Sequence, residues 1–365
     1  MFSLHIDTAR TWRGGQQQTL LTVLGLRERG HRTVLVAHPQ GELHARASEG
    51  VDLVGLAPRN EIDLAAAWKL SRVLRQYSPK VVHAHDPHAV ALAGTALSFG
   101  ALTPAPPLVA SRRVDFHLSG NSFSRWKYRQ VARFIAASAA IRDILEEDGI
   151  AAADVAIVHD GIDVGRVQRL PELDLHVEFW LPRGVPVIVN VGALVGHKGQ
   201  KHLLDAMPLV WERMPEVELT IAGTGDIEAH PVLDDPRVRV RNEHVPDAEL
   251  PAIFAAATCC VLPYRQASQS GVGSHAKTYG RAIVASDVGG LPELVGPDGG
   301  RTVPPGDPAA LAAALIDVVA TPGLAASMSA AAARSCEEST WRRVGERSLA
   351  AYERYLRPDG VGQSA

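Results

Sequence analysis

Short apolar runs recur along the chain, each followed by a polar loop and then a stretch with helical spacing. The first run, Leu4–Asp7, leads through Thr8–Gly15 into a helix predicted over Gln17–Arg29. There Leu20, Leu21, Val23, Leu24 and the aliphatic stem of Arg27 share a face, and Gly30 ends the helix. Strands are predicted at Thr33–Ala37, Val51–Gly55 and Lys80–His83, with a helix over Leu64–Tyr77 before the last of them. Leu108–Ser111, Phe134–Ala137 and Val155–Val158 continue the series. Strands that read as continuous apolar runs and alternate with helices predict a parallel sheet covered on both faces.

The pattern loosens over residues 164–184, which contain Pro171 and Pro182, and then restarts. Strands are predicted at Val185–Val191, Val217–Ala222, Arg237–Val240, Cys259–Leu262 and Ala282–Ser286, and helices over His202–Met214, Leu250–Ala257 and Ser270–Tyr279. Asp307-Pro308 marks a further helix start, an acid at the N-cap and proline in the first turn. Two similar α/β halves follow, expected as residues 1–168 and 180–340. A final helix, Trp341–Leu356, is expected to cross back, so that 341–365 packs with the first half and the last seven residues form a loose tail.

Composition narrows the function. The 365 residues are 46% hydrophobic and 21% charged, an ordinary globular balance. Lysine and arginine (37) nearly match aspartate and glutamate (40), which removes the global electrostatic case for a nucleic-acid partner. Cys259, Cys260 and Cys336 form neither a CxxC pair nor a metal spacing, as expected in a reducing cytoplasm. The N-terminus lacks the features of a signal peptide. Pro87–Ser111 carries no formal charge, but Gly94, Gly100, Pro104, Pro106 and Pro107 interrupt it; a buried helix, a loop and a strand are expected there, not a membrane span.

In open parallel sheets ligands lie at the carboxyl ends of strands, so polar residues after strand ends are the candidates. Arg13-Gly14-Gly15 follows the first strand; its glycines could admit a phosphate to a helix start or simply make a turn, and the spacing is not GxGxxG. His83-Ala84-His85-Asp86-Pro87-His88 follows the fourth. A metal set, a solvated loop and a substrate contact through His85 are all open here, though strand alternation does not assemble a tetrahedral set. In the second half, Lys198 stands in a glycine-rich loop where its ammonium could hold a diphosphate. Gln269, Ser270, Gly271 and Val272 lead into a helix whose N-terminus could serve an anion, or Ser270 could cap it with no ligand.

These positions, in this order, resemble the family 4 glycosyltransferases. The likeness runs through Gly14-Gly15 with Gly30-His31, Val82-His83-Ala84-His85, Gly161-Ile162-Asp163 and Val191-Gly192 with His197-Lys198-Gly199. It continues through Ala222-Gly223-Thr224-Gly225, Ala285–Glu293 and Val303–Asp307. The resemblance implies the α/β GT-B fold, two Rossmann-like domains facing each other across a cleft. It implies a retaining, metal-independent transfer from a nucleotide diphosphate sugar, UDP- or GDP-linked, bound by the second half, to an acceptor on the first. By the same resemblance Lys198 and the helix start at Ser270–Val272 stabilise the leaving diphosphate, with Gly14, Gly15, Gly192, Gly223, Gln269 and His275 also in the donor site. His85 would touch the transferred sugar. The chain departs from the family where an arginine usually follows Val-Gly, here Ala193, and at a paired-glutamate motif, here Ala267 and His275. A Ser-Gln-Ser-Gly-Val version of that segment, as in Ser268–Val272, occurs in some members.

The expected acceptor is a cell-envelope glycan or glycolipid of lipopolysaccharide type. The alternatives are a non-catalytic binder of sugar nucleotides or glycans, motivated by Ala193, Ala267 and His275, and a nucleotide-sugar epimerase. Residues 112–133 carry Arg112, Arg113, Arg125, Lys127, Arg129 and Arg133 among Phe116, Phe123, Trp126 and Tyr128. Such a segment either meets an anionic lipid surface, a peripheral contact with the cytoplasmic face of the inner membrane, or is a solvated helix that buries its aromatics.

Overall fold

The computed structural model describes residues 1–47, 50–100, 102–118, 120–163, 184–246 and 249–353. The chain divides into two compact units: Met1–Gly161 together with the helix from Trp341, and Ile162–Thr340. The irregular stretch expected at 164–184 lies, but for Gly184, outside the described residues, as do the expected tail and the last turn of the final helix.

Unit 1 runs β1 (Phe2–Asp7), α1 (Gly14–Glu28), β2 (Arg32–Ala37), α2 (Glu42–Ala47), β3 (Asp52–Gly55), α3 (Leu64–Tyr77), β4 (Val81–Ala84), α4 (Pro87–Ser98), β5 (Leu108–Arg112), α5 (Ser122–Arg129), β6 (Val131–Ala136), α6 (Ala139–Glu147) and β7 (Val155–Ile157). Its seven strands, all parallel, are ordered β3-β2-β1-β4-β5-β6-β7. Leu4, Ile6, Val34, Val36, Val82 and Ala110 point into one core layer, against Leu70 and Leu74 of α3 and Val90 and Leu92 of α4. Both faces are covered, so the strands carry apolar residues at successive positions instead of alternating.

Unit 2 runs β8 (Val187–Val191), α7 (Gln200–Trp211), β9 (Glu218–Gly223), β10 (Val238–Asn242), α8 (Leu250–Ala256), β11 (Cys259–Leu262), α9 (Gly271–Thr278), β12 (Ala282–Ser286), α10 (Leu291–Val295), β13 (Gly300–Val303), α11 (Pro308–Ala320) and α12 (Leu324–Ser335). Its six parallel strands are ordered β10-β9-β8-β11-β12-β13. α2, α6, α10, β13 and α12 are elements the sequence pattern did not mark; α2, α10 and β13 are too short to show a period.

The last helix, α13 (Trp341–Glu353), packs along α1 of unit 1. Gly25 and Gly345 meet at the crossing, where a Cβ on either would run into the other's backbone. Ion pairs Arg342–Glu28 (2.7 Å) and Arg29–Glu346 (3.2 Å) flank it. In each sheet the strand order reverses beside the first strand, between β1 and β4 in one and between β8 and β11 in the other. At such a switch point neighbouring loops diverge and leave a crevice at the strand ends, which is where doubly wound sheets bind ligands.

Candidate donor and acceptor sites

The candidate residues fall at these two reversals. In unit 2 the β8 loop carries Lys198, and the β11 loop carries Tyr264 and leads to Ser270. Backbone contacts hold the two loops together: Arg265 N–H donates to His197 O at 2.8 Å. Gly199, at φ +70, lies against the Pro263 carbonyl, where a Cβ would collide. The β8 and β9 loops are joined in the same way. Gly223, at φ +155, abuts the Gly192 carbonyl, again with no room for a Cβ, and Leu194 and Gly225 form a bridge beyond it. Only glycine satisfies both demands at these positions.

On this platform the Lys198 ammonium lies 3.7 Å from the centroid of the Tyr264 ring. Among the described residues no carboxylate pairs with it. Burial lowers its pKa, since leaving water disfavours the charged form. Tyr264 is 1% exposed and its hydroxyl lies 3.3 Å from Ser270 Oγ. Ser270 caps α9 by accepting from Gly273 N–H at 3.1 Å. The Gly271 and Val272 N–H groups have no partner among the described residues, so the positive end of α9 stays open to an anion. Gly192 faces the same cluster: a Cβ there would sit 3.8 Å from the Tyr264 hydroxyl and 4.0 Å from Val272 Cγ2. Gln269 packs against Gly290 in the β12 loop, and His275, in the second turn of α9, stacks on Tyr279 with centroids 6.4 Å apart. A cavity of about 700 Å³ flanks the β8 loop, lined by Gly196, Gly199, His202, Asp226, Arg265 and Gly306 among others. Lys198 itself does not line it.

In unit 1, Asp7 at the end of β1 accepts from Thr19 Oγ1 (2.9 Å) and Gln16 Nε2 (3.2 Å), tying the start of α1 to the strand. A Cβ at Gly14 or Gly15 would meet nothing within 4 Å, so internal packing does not require glycine there. His85 is buried at the end of β4, beside His5 and His83. His5 Nδ1 and His85 Nε2 are hydrogen-bonded at 3.0 Å, and His5 Nε2 is 2.9 Å from Ser3 Oγ. His83 bonds Tyr352 OH through Nδ1 (2.6 Å) and Ser111 Oγ through Nε2 (2.8 Å). His85 Nδ1 is left with no hydrogen-bond partner. Desolvation drives all three pKa values down, that of His5 to about 3.

One nitrogen from each ring lies within 4.8 Å of the others, which revives the metal reading. The hydrogen bonds oppose it. Both nitrogens of His5 and of His83 already have protein partners, and the His83 and His85 rings lie side by side at a 34° tilt with centroids 4.0 Å apart. The arrangement is that of three buried imidazoles, His5 bonded to His85 and His83 to Tyr352 and Ser111, and it also differs from the solvated loop considered for this segment. Asp86 caps α4, accepting from Ala89 N–H at 2.9 Å, and burial together with nearby Asp7 raises its pKa to about 6.

The basic segment divides. Arg112 is buried and donates to the Phe116 carbonyl; Arg113 pairs with Asp160 at 3.1 Å; Lys127, also buried, pairs with Glu61 at 3.2 Å. These three cations are turned to internal partners, contrary to a reading of them as lipid contacts. Arg125, Trp126 and Arg129 face solvent.

Two doubly wound units with ligand-ready strand ends at their reversals define a two-domain α/β transferase architecture. Residues 12–166 match the family model described as Glycosyltransferase Family 4, and residues 185–321 the model described as Glycosyl transferases group 1. The chain belongs to the family 4 glycosyltransferases and is a glycosyl-transferring enzyme. It is 27% identical to the phosphatidyl-myo-inositol mannosyltransferase of Mycolicibacterium smegmatis over 360 residues, 93% of this chain and 90% of that one. It is 28% identical to the glycogen synthase of Mycobacterium tuberculosis strain H37Rv over 76% of this chain and 69% of the relative. Among solved structures, HepE of Anabaena in complex with UDP superposes with a TM-score of 0.79 at 18% identity, covering 97% of this chain and all of that one (100%). The lipopolysaccharide outer core galactosyltransferase WaaB gives 0.74 at 16% identity over 96% and 99%. Among the described residues no single helix is long and apolar enough to cross a membrane.

Proposed function

We propose that this enzyme transfers a sugar, with retention, from a nucleoside diphosphate sugar to a glycan or glycolipid of the cell envelope, and that it does so without a bound metal. The observation that carries this is the Lys198 ammonium, half-buried, unpaired by any described carboxylate and joined through Tyr264 and Ser270 to the open end of α9. As the sugar leaves, negative charge grows on the diphosphate. A fixed ammonium and oriented N–H groups stabilise that charge more than they stabilise the bound substrate, which is what accelerates the step. Relatives whose names specify phosphatidylinositol acceptors, and a solved relative holding UDP-glucose, support the donor and acceptor classes. His85 is assigned to the transferred sugar, through the Nδ1 that no protein group occupies. Gly14 and Gly15 are assigned to close backbone approach to the diphosphate.

A peripheral lipid contact has support from exposed groups. Arg125, Trp126 and Arg129 of α5 lie on the helix whose Lys127 binds Glu61, just before α3. At the start of α3, Leu64 is 65% and Trp68 51% exposed, and Lys69 and Arg72 stand beside them. Apolar bodies among cations, with no acid on α3, suit an anionic headgroup layer.

The test is incubation of the purified chain with UDP-, GDP- and ADP-sugars, reading nucleotide release with and without glycolipid acceptors, with EDTA present. Turnover unaffected by EDTA is expected from one donor. Lys198→Ala should lower kcat by about 10²–10³-fold, the scale for removing one preorganised charge stabiliser, with an unchanged circular dichroism spectrum. Retained turnover would remove Lys198 from the mechanism.

A further inference from the structure

In the line from Lys198 through Tyr264 to Ser270, no motif accounts for the middle member. Tyr264 lies two residues past the end of β11, and the backbone on both sides of it is fastened to the lysine's loop: Pro263 O against Gly199 before it, Arg265 N–H to His197 O after it. The loops that carry the ring and the ammonium are therefore fastened to one another by main chain. We infer that Tyr264 is a positioning residue for the diphosphate grip, its ring face seating the Lys198 ammonium while its hydroxyl holds Ser270 at the start of α9. The inference rests on the reading that Lys198 and α9 bind a diphosphate.

The choice of an aromatic has a physical logic. A sheltered ammonium usually finds a carboxylate. A carboxylate here would fix the lysine but cancel its charge and compete with the incoming phosphate. An aromatic face attracts a cation through its quadrupole while carrying no net charge. Lys198 is thus held in one place with its full positive charge still available. The hydroxyl does a second task. At 3.3 Å from Ser270 Oγ it steadies the cap, which takes Gly273 N–H and leaves those of Gly271 and Val272 without a described partner. One buried side chain aligns both parts of the anion site.

The experiment measures affinity for inorganic pyrophosphate, UDP and GDP by calorimetry on the full chain. Variants are Tyr264→Phe, Tyr264→Leu, Lys198→Ala and the double variant Lys198→Ala/Tyr264→Leu. Tyr264→Leu should weaken pyrophosphate about tenfold, ~1.4 kcal/mol, within the range for a desolvated cation–aromatic contact. Tyr264→Phe keeps the ring and should stay within about threefold of wild type. In the Lys198→Ala background, Tyr264→Leu should cost no more than the about threefold allowed for the lost hydroxyl, because the ammonium that the ring seats is gone. Wild-type affinity in Tyr264→Leu would overturn the inference. So would an equal loss with and without Lys198, which would mark a generic packing role. If Lys198→Ala alone leaves pyrophosphate binding unchanged, the diphosphate reading itself fails and the inference with it. Should Tyr264→Leu not fold, Tyr264→Met, which better fills the volume, takes its place with the same expectations.

Discussion

At residue scale the proposed donor site departs from the family pattern in how it deals with charge. Where the family pattern has paired carboxylates this chain has Ala267 and His275, and its key cation rests on a ring. A neutral imidazole accepts one hydrogen bond, whereas a carboxylate can take both hydroxyls of a ribose. His275→Glu is therefore expected to tighten nucleotide binding by about three- to tenfold, the scale of one net hydrogen bond. Titration calorimetry with the nucleotide that binds wild type measures it, and a marked loss of affinity would show that the ribose lies elsewhere. Lys198 and the α9 start were legible in the sequence because glycines and a hydroxyl punctuate them. Tyr264 was not: an aromatic two residues past an apolar strand looks like core, and core is where its ring lies. His5 was hidden for a similar reason. Nothing along a strand reveals which side chain will meet it from a neighbouring strand.

At the scale of elements, the strands were read nearly to their ends because buried parallel strands are unbroken apolar runs, as in Cys259–Leu262 and Ala282–Ser286. Helix starts were less sharp. The polar Gly14–Gln16 hid the first turn of α1, although Gln16 bonds the Arg13 N–H and fastens that turn. The final helix was expected to return to the first half, but its contact was not foreseeable, since it depends on two glycines separated by most of the chain. Gly25 and Gly345 let the α1 and α13 backbones touch. Alanine in place of Gly345 would gain about 1 kcal/mol of helix propensity. It would also drive a Cβ into the backbone of Gly25, and such overpacking costs about 1–3 kcal/mol. The second effect wins in most of that range, so Gly345→Ala should be destabilising by up to about 2 kcal/mol, and Gly345→Val by more. Thermal unfolding of the two variants checks this, and a stabilised Gly345→Ala would mean the helices part without cost.

At the scale of the molecule, the alternation of elements made two doubly wound halves legible, because each half repeats a pattern that only a covered parallel sheet satisfies. The buried imidazoles of unit 1 give that architecture a pH limit. His5, His83 and His85 are held neutral by burial, with folded pKa values below the unfolded value near 6.5. The unfolded chain thus binds more protons below pH 6.5. Stability is fully present above that pH and is lost as pH falls, by about 2 kcal/mol per histidine at pH 5. Asp86 acts in the opposite sense. Its raised pKa, about 6, means that the folded state takes up a proton first as pH falls, recovering only about 1–1.5 kcal/mol at pH 5. Three imidazoles outweigh one carboxyl, so unit 1 should weaken by several kcal/mol between pH 7.5 and 5. Hydrogen exchange of β1 and β4 peptides, corrected for intrinsic rates, reports this on the full chain. Replacing His83 with glutamine, which can still bond Tyr352 or Ser111, should flatten the acid slope by about one proton. Equal protection of β1 and β4 at both pH values would mean that the imidazoles are charged in the folded protein, and the hydrogen-bonded neutral cluster would have to be abandoned.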